Sequence, residues 1–279
     1  MYALLRRLRS VNRSNRLAIL LTLALASFGG LCFQQRVSLG VDYHAFADQR
    51  TFVGIPRALD VLSNALFLVV GAAGLKFLFE RVSRSSFLEK QERLPYVLFF
   101  AGVALTGLGS AYYHVAPGDS RLPWDLLPMT LSFMSLLAAT IVERVSMTAG
   151  LSLFPALVIL GVASVEFWQF GQLRGQGDYR FYLFSQYFAV IAIAAMIILF
   201  PPRYTRTFDL FLAFVFYALA KILELLDHQI YSLGRIASGH TLKHLSAGVA
   251  CYWVLRMLKL RRATQFSDSA SDALDAHGL

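Results

Sequence analysis

Residues 94–114 read LPYVLFFAGVALTGLGSAYYH, a stretch that is apolar for most of its length and ends in polar side chains. A helix of about 20 residues rises roughly 30 Å, which is the thickness of the hydrocarbon core of a bilayer. Its last turn carries Ser110 and His114, whose four-residue spacing places both side chains on one helix face. The stretch therefore predicts a membrane-spanning helix with polar groups at one end.

Similar apolar stretches recur along the chain. Of the 279 residues, 57% are hydrophobic and 15% are charged, and the mean hydropathy of +0.55 is far above that of a soluble globular protein. Because apolar runs of about 17–22 residues are long enough to cross a bilayer, we predict an all-α fold, a polytopic transmembrane helical bundle. The eight spanning helices are expected at 17–33, 58–79, 94–114, 123–143, 150–170, 180–200, 207–227 and 238–258.

The basic residues of the loops predict how the bundle is oriented. The net charge is +9, and 16 of the 26 Lys and Arg residues lie at one set of helix ends, which includes the N-terminus and the loop near 80–93. Eight lie at the opposite ends, and Lys76 and Lys221 fall inside helices. The positive-inside rule therefore places both termini in the cytoplasm, in agreement with an even number of helices. These topology signals explain the positive charge, so nucleic acid is not an expected partner.

The chain divides into four predicted regions. They are a basic cytoplasmic N-terminus at 1–16, an extra N-terminal helix at 17–33, a seven-helix core at 34–262, and a tail at 263–279 that is expected to be disordered. A signal peptide is the alternative for the first helix, because a basic start and an apolar run precede Ala24-Leu25-Ala26. The apolar run continues to Phe33, which favours an uncleaved helix. Cys32 and Cys251 give neither a disulfide framework nor a metal-ligand spacing.

Three histidines are predicted to meet at the non-cytoplasmic end of the bundle. His240 and His244 open the last helix with the same spacing as Ser110 and His114, so each pair shares a helix face. Three imidazoles with an open fourth position are the ligands of many catalytic zinc ions. Asp125, which opens the helix after His114, adds a carboxylate to the Ser110 hydroxyl, and both groups suit hydrolysis at such a site.

Each of these residues, taken alone, also has a structural explanation as an interfacial side chain with a hydrogen-bond partner. Their convergence at one membrane level favours the metal site, because ionisable groups at membrane depth are costly. Lys221 and Glu224, three residues apart, are predicted to form an ion pair inside the bundle. Other polar residues are candidates for orienting the ligands, although interhelical hydrogen bonds explain them equally well. These candidates are Asp60, Ser63, Asn64, Asp227 and His228.

The motifs that carry these residues resemble a known family. The runs GLGSAYYH (107–114), WDLLPM (124–129) and GHTLKH (239–244) are similar, in order and spacing, to the three signatures of the alkaline ceramidases. That family belongs to the CREST superfamily of seven-helix membrane hydrolases, together with adiponectin-receptor and progestin-receptor-like proteins and enzymes that remodel GPI anchors. The run from ADQRTFVGIP (47–56) to Ser63-Asn64 resembles the bacterial ceramidase-like branch, and the resemblance extends over about residues 42–258.

The resemblance implies a zinc-dependent amidohydrolase that cleaves the N-acyl bond of ceramide or a similar lipid. It implies that His114, His240 and His244 hold zinc, that Ser110 stabilises the oxyanion and that Asp125 handles the proton. Together with the charge pattern, it implies the inner membrane of a bacterium, with the site facing the periplasm. The expected partners are the bilayer and a ceramide-like lipid substrate, and no protein partner is indicated.

One departure from the family pattern concerns calcium. The animal enzymes bind calcium through an acidic cluster that includes a Glu in an Ala-Glu-Phe-Trp-Asn stretch. Here Arg57 stands at the position of that Glu, and although Asp42 and Asp48 remain upstream, the cluster is not reproduced. A calcium site is therefore in doubt, and the substrate preference is open.

Three other functions remain as alternatives to an amidase. A lipid-binding receptor or sensor would use the same zinc scaffold without turnover, but the presence of Asp125 and Ser110 disfavours it. A hydrolase of a lipid ester would use the same residues as the amidase. A transporter is disfavoured because the sequence shows no inverted repeat and no paired helices broken by Gly or Pro.

Overall fold

A computed structural model describes residues 11–264, and within that range the chain forms ten α-helices and no β-strand. The helices are α1 (Arg13–Phe33), α2 (Ala58–Leu62), α3 (Ala65–Phe79), α4 (Arg93–Val115), α5 (Leu122–Arg144), α6 (Met147–Leu173), α7 (Arg180–Leu199), α8 (Thr207–Leu225), α9 (Asp227–Ser232) and α10 (Gly239–Leu260). The predicted all-α bundle is confirmed.

Six helical segments are long and apolar enough to cross a membrane. Five of them contain the single helices α1, α4, α5, α6 and α7, and the sixth is formed by α2 together with α3. Helices α8 and α10, of 19 and 22 residues, are of similar length but carry more polar and charged side chains. Seven of the eight predicted spans thus coincide with one long helix each, and the span at 58–79 coincides with α2 and α3 together. The chain is consistent with a multi-pass membrane protein.

The second predicted span differs in detail from the structure. It is not continuous, because α2 ends at Leu62 and α3 starts at Ala65. Between them, Ser63 and Asn64 keep helical dihedral angles, but hydrogen bonds such as Phe67 N to Asn64 O (3.1 Å) are of the tighter i to i+3 type. At this turn the Ser63 side chain contacts His244 of α10, and the site described below depends on that contact.

Helix α5 lies at the centre of the packing, in contact with α4, α6 and α7. Helix α10 packs against α8 and α3, and α3 in turn packs against α4, which joins the two halves of the bundle. Helix α1 lies at the periphery against α7, and Leu31 is its one buried residue. The outward faces expose large apolar side chains, such as Val69, Ile159 and Phe208, as expected where a helix contacts lipid.

The end of the bundle opposite the three histidines is closed by a buried polar cluster. The Arg261 guanidinium, just after α10, donates to Glu143 and lies over the ring of Tyr204, with 4.0 Å between its carbon and the ring centroid. Tyr204 donates to Glu92 through its hydroxyl, and Tyr96 donates to Glu143 at 2.9 Å. These contacts hold the last turn of α10 against the start of α4 and the end of α5.

The first two residues of the predicted tail, Ala263 and Thr264, contact the rest of the chain. Ala263 pairs with Tyr204 in an isolated bridge, and Thr264 N donates to Arg203 O at 2.9 Å. These backbone hydrogen bonds hold residues 263 and 264 against the 203–205 loop. The amino-acid composition of the segment does not indicate them. The rest of the predicted tail and the first ten residues of the basic N-terminus lie outside the described residues.

Helices α4 and α5 approach each other most closely at Gly109. A Cβ atom added to Gly109 would lie 1.9 Å from the carbonyl oxygen of Trp124, a contact that no side chain tolerates. Only glycine therefore allows the backbone of α5 to lie against α4 at this level. Ser110 follows Gly109 on α4 and Asp125 follows Trp124 on α5, so this contact fixes how those two side chains meet.

We predict that Gly109→Ala destabilises the protein by about 1–3 kcal/mol, the usual cost of overpacking a tight interface. The added methyl group must push α5 away from α4. Thermal unfolding in detergent measures the effect, with Gly29→Ala as the matched control, because a Cβ at Gly29 meets nothing within 4 Å. Equal melting temperatures for the two variants would contradict the prediction.

Candidate metal centre

Three buried histidines from two helices converge at one end of the bundle. His114 lies in the last turn of α4, and His240 and His244 lie in the first two turns of α10. One ring nitrogen from each residue lies within 4.8 Å of the others, and the Nε2 atoms of His114 and His240 are 3.2 Å apart. The edge of a tetrahedral site with metal–nitrogen bonds of 2.0–2.1 Å is about 3.4 Å. The three rings can therefore hold a metal ion.

The unused hydrogen-bonding capacity of these rings fits a metal as well. His244 Nε2 is buried and has no hydrogen-bond partner among the described residues. A buried nitrogen without a partner is unfavourable, and a metal bond removes that cost for a nitrogen with a free lone pair. Between residues 11 and 264, this is the only group of three or more His, Cys, Asp or Glu side chains close enough to share an ion.

Ser63 sets the proton position on His244. The Ser63 hydroxyl donates its one hydrogen to Asp60 O at 3.1 Å, so its oxygen is left to accept from His244 Nδ1–H at 2.8 Å. The proton of the neutral ring is then on Nδ1, and the lone pair is on Nε2, which faces the other two histidines. A ligand histidine oriented by a hydrogen bond at its second nitrogen is the usual arrangement in metal sites.

Two aspartates hold the start of α10, where His240 and His244 lie. The Asp60 carboxylate accepts from the hydroxyls of Thr241 (2.6 Å) and Ser238 (3.1 Å), and the Ser238 hydroxyl accepts from Thr241 N as the helix cap. Asp227 accepts from the backbone N–H of His240 at 2.7 Å. Because all of these groups are buried, the first turn of α10 is fixed in position and in rotation about its axis.

Arg57 fixes the end of α4 that carries His114. Its guanidinium donates to the carbonyl oxygens of His114 (2.8 Å) and Val115 (2.7 Å), and also to Gln49 Oε1. The last carbonyl groups of a helix have no partner within the helix, and a cation at this end also interacts favourably with the helix dipole. Arg57 adopts a left-handed backbone conformation, with φ of 47°, to place its side chain there.

The loop before α2 covers the histidines from the aqueous side. The ring of Phe46 lies edge-on to the rings of His240 and His114, with centroid distances of 4.4 and 4.6 Å. The loop is anchored by Ala47 N, which donates to Asp227 at 2.9 Å, and by His44, whose two ring nitrogens bond Tyr113 and Asp119. Phe46 therefore excludes water from one side of the site.

Asp48, an acidic residue of this loop, is paired with a cation of the protein. Asp48 is buried and accepts two hydrogen bonds from Arg50, at 2.8 and 2.6 Å. These hydrogen bonds hold the pKa of the Asp48 carboxyl below its usual range. Together with the positive side chain of Arg57, this pairing gives the loop a different electrostatic character from an acidic cation-binding cluster.

A cavity of about 290 Å³ extends from the histidines into the bundle. Its polar end is lined by His244, Ser110 and Asp125, and the side chains of Ser110 and Asp125 are within hydrogen-bonding reach of each other. Its deeper part is lined mostly by apolar side chains from five helices. Among them are Phe99, Val103, Leu136, Ile193, Leu210 and Val254.

The structure brings most of the predicted residues together. Ser63 contacts a histidine ring, and Asp227 contacts the backbone of His240. Asp60 and Asn64 act one step further away: Asp60 bonds the start of α10, and Asn64 donates to the carbonyl oxygen of Asp60 at 2.7 Å. His228 bonds Ala45 O at 3.0 Å instead, and so supports the loop and none of the three ligands directly.

Sequence reasoning missed two contributors to the site. Phe46 lies in a loop without periodicity, so no pattern indicated that it covers the histidines. Lys243 lines the cavity and bonds Glu224 at 2.9 Å, in addition to the predicted pair of Lys221 with Glu224, which is confirmed at 2.6 Å. Because Lys243 directly precedes His244 in the sequence, its position near the histidines could have been predicted.

Comparisons of the chain with protein-family models, with curated proteins and with solved structures found no match.

We predict that the purified protein binds close to one divalent metal ion per chain, and that His114→Ala, His240→Ala and His244→Ala each abolish this binding. Two remaining imidazoles cannot hold an ion tightly in a site built for three. Elemental analysis of purified samples gives the metal content. His228→Ala is the control and should retain the ion, and equal metal content in all four variants would exclude the site.

We further predict that Ser63→Ala weakens metal binding by about 10–100-fold, as is usual when the partner of a ligand histidine is removed. Without the hydroxyl, the His244 ring loses the bond that keeps its proton on Nδ1. Competition with a chromogenic chelator measures the affinity. Ser232→Ala is the control, because that exposed hydroxyl bonds only the Gln229 carbonyl oxygen of its own helix. The same affinity in both variants would contradict the orienting role of Ser63.

Proposed function

We propose that this protein is an intramembrane zinc-dependent amidohydrolase, which cleaves the N-acyl bond of ceramide or a similar lipid to a fatty acid and a sphingoid base. The observation that carries the proposal is the cavity at the histidine group: His244, a member of that group, lines the polar end of a mostly apolar pocket together with the Ser110 hydroxyl and the Asp125 carboxylate. The resemblance of the three motifs to the alkaline ceramidases supports the same activity. No other group of residues described above combines a metal site with acid–base groups.

Zinc is the metal that this donor set favours. Three imidazoles with one open position are found in hydrolytic zinc sites, whereas calcium and magnesium prefer oxygen ligands. When bound, zinc would supply Lewis acidity, which brings the pKa of water close to 7 and polarises a carbonyl group. Calcium has no comparable support, because Asp48 is paired with Arg50 and Arg57 caps α4.

Asp125 is positioned to move the proton of the reaction. In amide hydrolysis, the water oxygen bonds the carbonyl carbon, the C–N bond breaks and the leaving nitrogen gains a proton. Asp125 would accept the proton from the attacking water and deliver it to the nitrogen. It is buried, with 6% of its surface exposed, so the proton passes within the cavity and is shielded from bulk water.

Ser110 is positioned to stabilise the charge that develops on the carbonyl oxygen. Its hydroxyl is buried, lines the cavity and lies one helical turn before the ligand His114. A hydrogen-bond donor already fixed in a water-poor site stabilises an oxyanion without having to reorganise. The close contact of α4 and α5 at Gly109 keeps this donor beside Asp125.

The shape of the cavity favours a lipid substrate. The apolar lining extends from the reacting end towards the far side of the bundle, which matches an acyl chain attached to a polar amide. The resemblance to the bacterial ceramidase-like branch supports a location in the inner membrane of a bacterium, and the basic residues at one set of helix ends support the orientation there. In that arrangement the termini would be cytoplasmic, and the site would lie towards the periplasm.

We predict that the zinc-loaded protein in nanodiscs releases fatty acid from an N-acyl sphingoid lipid, measured by mass spectrometry of both products. Asp125→Asn should abolish release, because the amide side chain cannot accept the proton, while the zinc content stays unchanged. Ser110→Ala should lower kcat by about 10²–10³-fold, the usual cost of losing an oxyanion donor. Ser164→Ala is the matched control, because that hydroxyl lies between α6 and α7, at 3.3 Å from Ser185 Oγ.

The same samples separate the amidase from the alternatives. A lipid ester with the same acyl chain, tested in parallel, shows whether the scissile bond is an amide or an ester. Tight lipid binding without any release, by native protein and Asp125→Asn alike, would indicate a receptor or sensor. The hydrolase proposal is overturned if the zinc-loaded protein leaves every N-acyl sphingoid lipid and lipid ester intact.

A further inference from the structure

Two lysines and one glutamate form a charged cluster in the wall of the same cavity. Lys221 and Glu224 lie one turn apart on α8, and Lys243 lies on α10, directly before a ligand histidine. The Nζ atoms of Lys221 and Lys243 are 2.6 and 2.9 Å from the two different oxygens of Glu224. All three residues line the cavity together with Asp125 and His244. The cluster therefore adjoins the reacting end and faces the same space.

The cluster contains more positive charge than its internal pairing requires. One carboxylate faces two ammonium groups, and among the described residues each ammonium has a single hydrogen bond, to Glu224. An ammonium has three N–H donors, so each lysine keeps donors beyond its bond to Glu224, although Lys221 also lies 6.0 Å from the ring centroid of Tyr187. The side chains of Lys221, Glu224 and Lys243 remain partly exposed, at 31%, 33% and 17%. A simple structural ion pair at membrane depth needs no second lysine.

The charge at this end of the cavity becomes positive once the metal site is filled. Lys221 and Lys243 balance Glu224 and Asp125, the neutral imidazoles add nothing, and a divalent ion then leaves an excess of about two positive charges. In a water-poor cavity such an excess attracts an anion strongly.

From this geometry we infer that Lys221, Glu224 and Lys243 form a subsite for an anionic oxygen group on the bound lipid, either a phosphate headgroup or the free carboxylate of a fatty acid. The inference rests on the proposed function in one respect, because it takes the occupant of the cavity to be the lipid on which the site acts. It adds a specificity: a lipid with an anionic group should bind more tightly than its neutral counterpart. Lysine is a common ligand for phosphate and carboxylate oxygens in water-poor sites.

The test measures lipid binding separately from turnover. Zinc-loaded protein carrying Asp125→Asn, in nanodiscs of neutral phosphatidylcholine, is titrated with a ceramide, with the 1-phosphate of that ceramide and with the corresponding free fatty acid. Lys221→Gln and Lys243→Gln should each weaken binding of an anionic lipid by about 10–100-fold, the equivalent of one charge-assisted hydrogen bond. Binding of the neutral ceramide should change by less than about twofold. Glu224→Gln should act in the opposite direction and tighten anion binding, because it releases both ammonium groups.

A control variant and the comparison of the three lipids distinguish the possible outcomes. Lys259→Gln removes the same charge from the opposite end of α10, where Lys259 lies over the ring of Phe77, and should leave all three affinities unchanged. Lysine dependence limited to the phosphate lipid assigns the subsite to a headgroup, and dependence limited to the fatty acid assigns it to the carboxylate. Equal losses for neutral and anionic lipids, or no loss at all, would overturn the inference. Lysine-dependent anion binding in a protein that hydrolyses no lipid would overturn only the proposed function.

Discussion

The arrangement of this bundle depends on the cost of burying three imidazole rings whose nitrogens the protein does not fully satisfy. A buried polar atom without a partner is unfavourable, and a hydrogen-bonding side chain beside each nitrogen would have removed that cost. Instead, the structure keeps the ring nitrogens of His114, His240 and His244 close together and removes them from water. A cation shared by the three rings would offset that cost, and the protein would then be more stable with the ion bound than without it.

Such an arrangement requires that the helix ends cannot adjust. At the start of α10, Asp60 and Asp227 fix the backbone, and at the end of α4, Arg57 bonds the last carbonyl groups. In lipid, unsatisfied backbone groups are especially costly, so caps at these ends stabilise the fold and position the ligands at the same time. The buried cluster around Arg261 at the other end of α10 has the matching effect, because it prevents α10 from sliding along its neighbours. Held at both ends, α10 presents its two histidines in one orientation.

The sequence predicted what depends on local periodicity. Apolar runs located the eight long helices, and four-residue spacings paired Ser110 with His114 and His240 with His244. What it could not supply are contacts between distant segments: Ser63 with His244, 181 positions away, and the ring of Phe46 over two histidines. The tightened turn at Ser63 and Asn64 also escaped prediction, because both residues keep helical dihedral angles and only the hydrogen-bond pattern changes. These features depend on how distant segments pack against each other, which a short sequence motif does not indicate.

Arg57 links the departure from the ceramidase pattern to the electrostatics of the site. Where the resemblance implies an acidic residue that helps to bind calcium, this chain has a guanidinium that bonds the carbonyl oxygens of α4 directly. One contact thus holds the loop against the end of the helix that carries His114. Arg57 also adds a positive charge at the end of the bundle where Lys221 and Lys243 line the cavity. For the lipid substrate proposed above, these three cations act in the same direction and favour a group that carries negative charge.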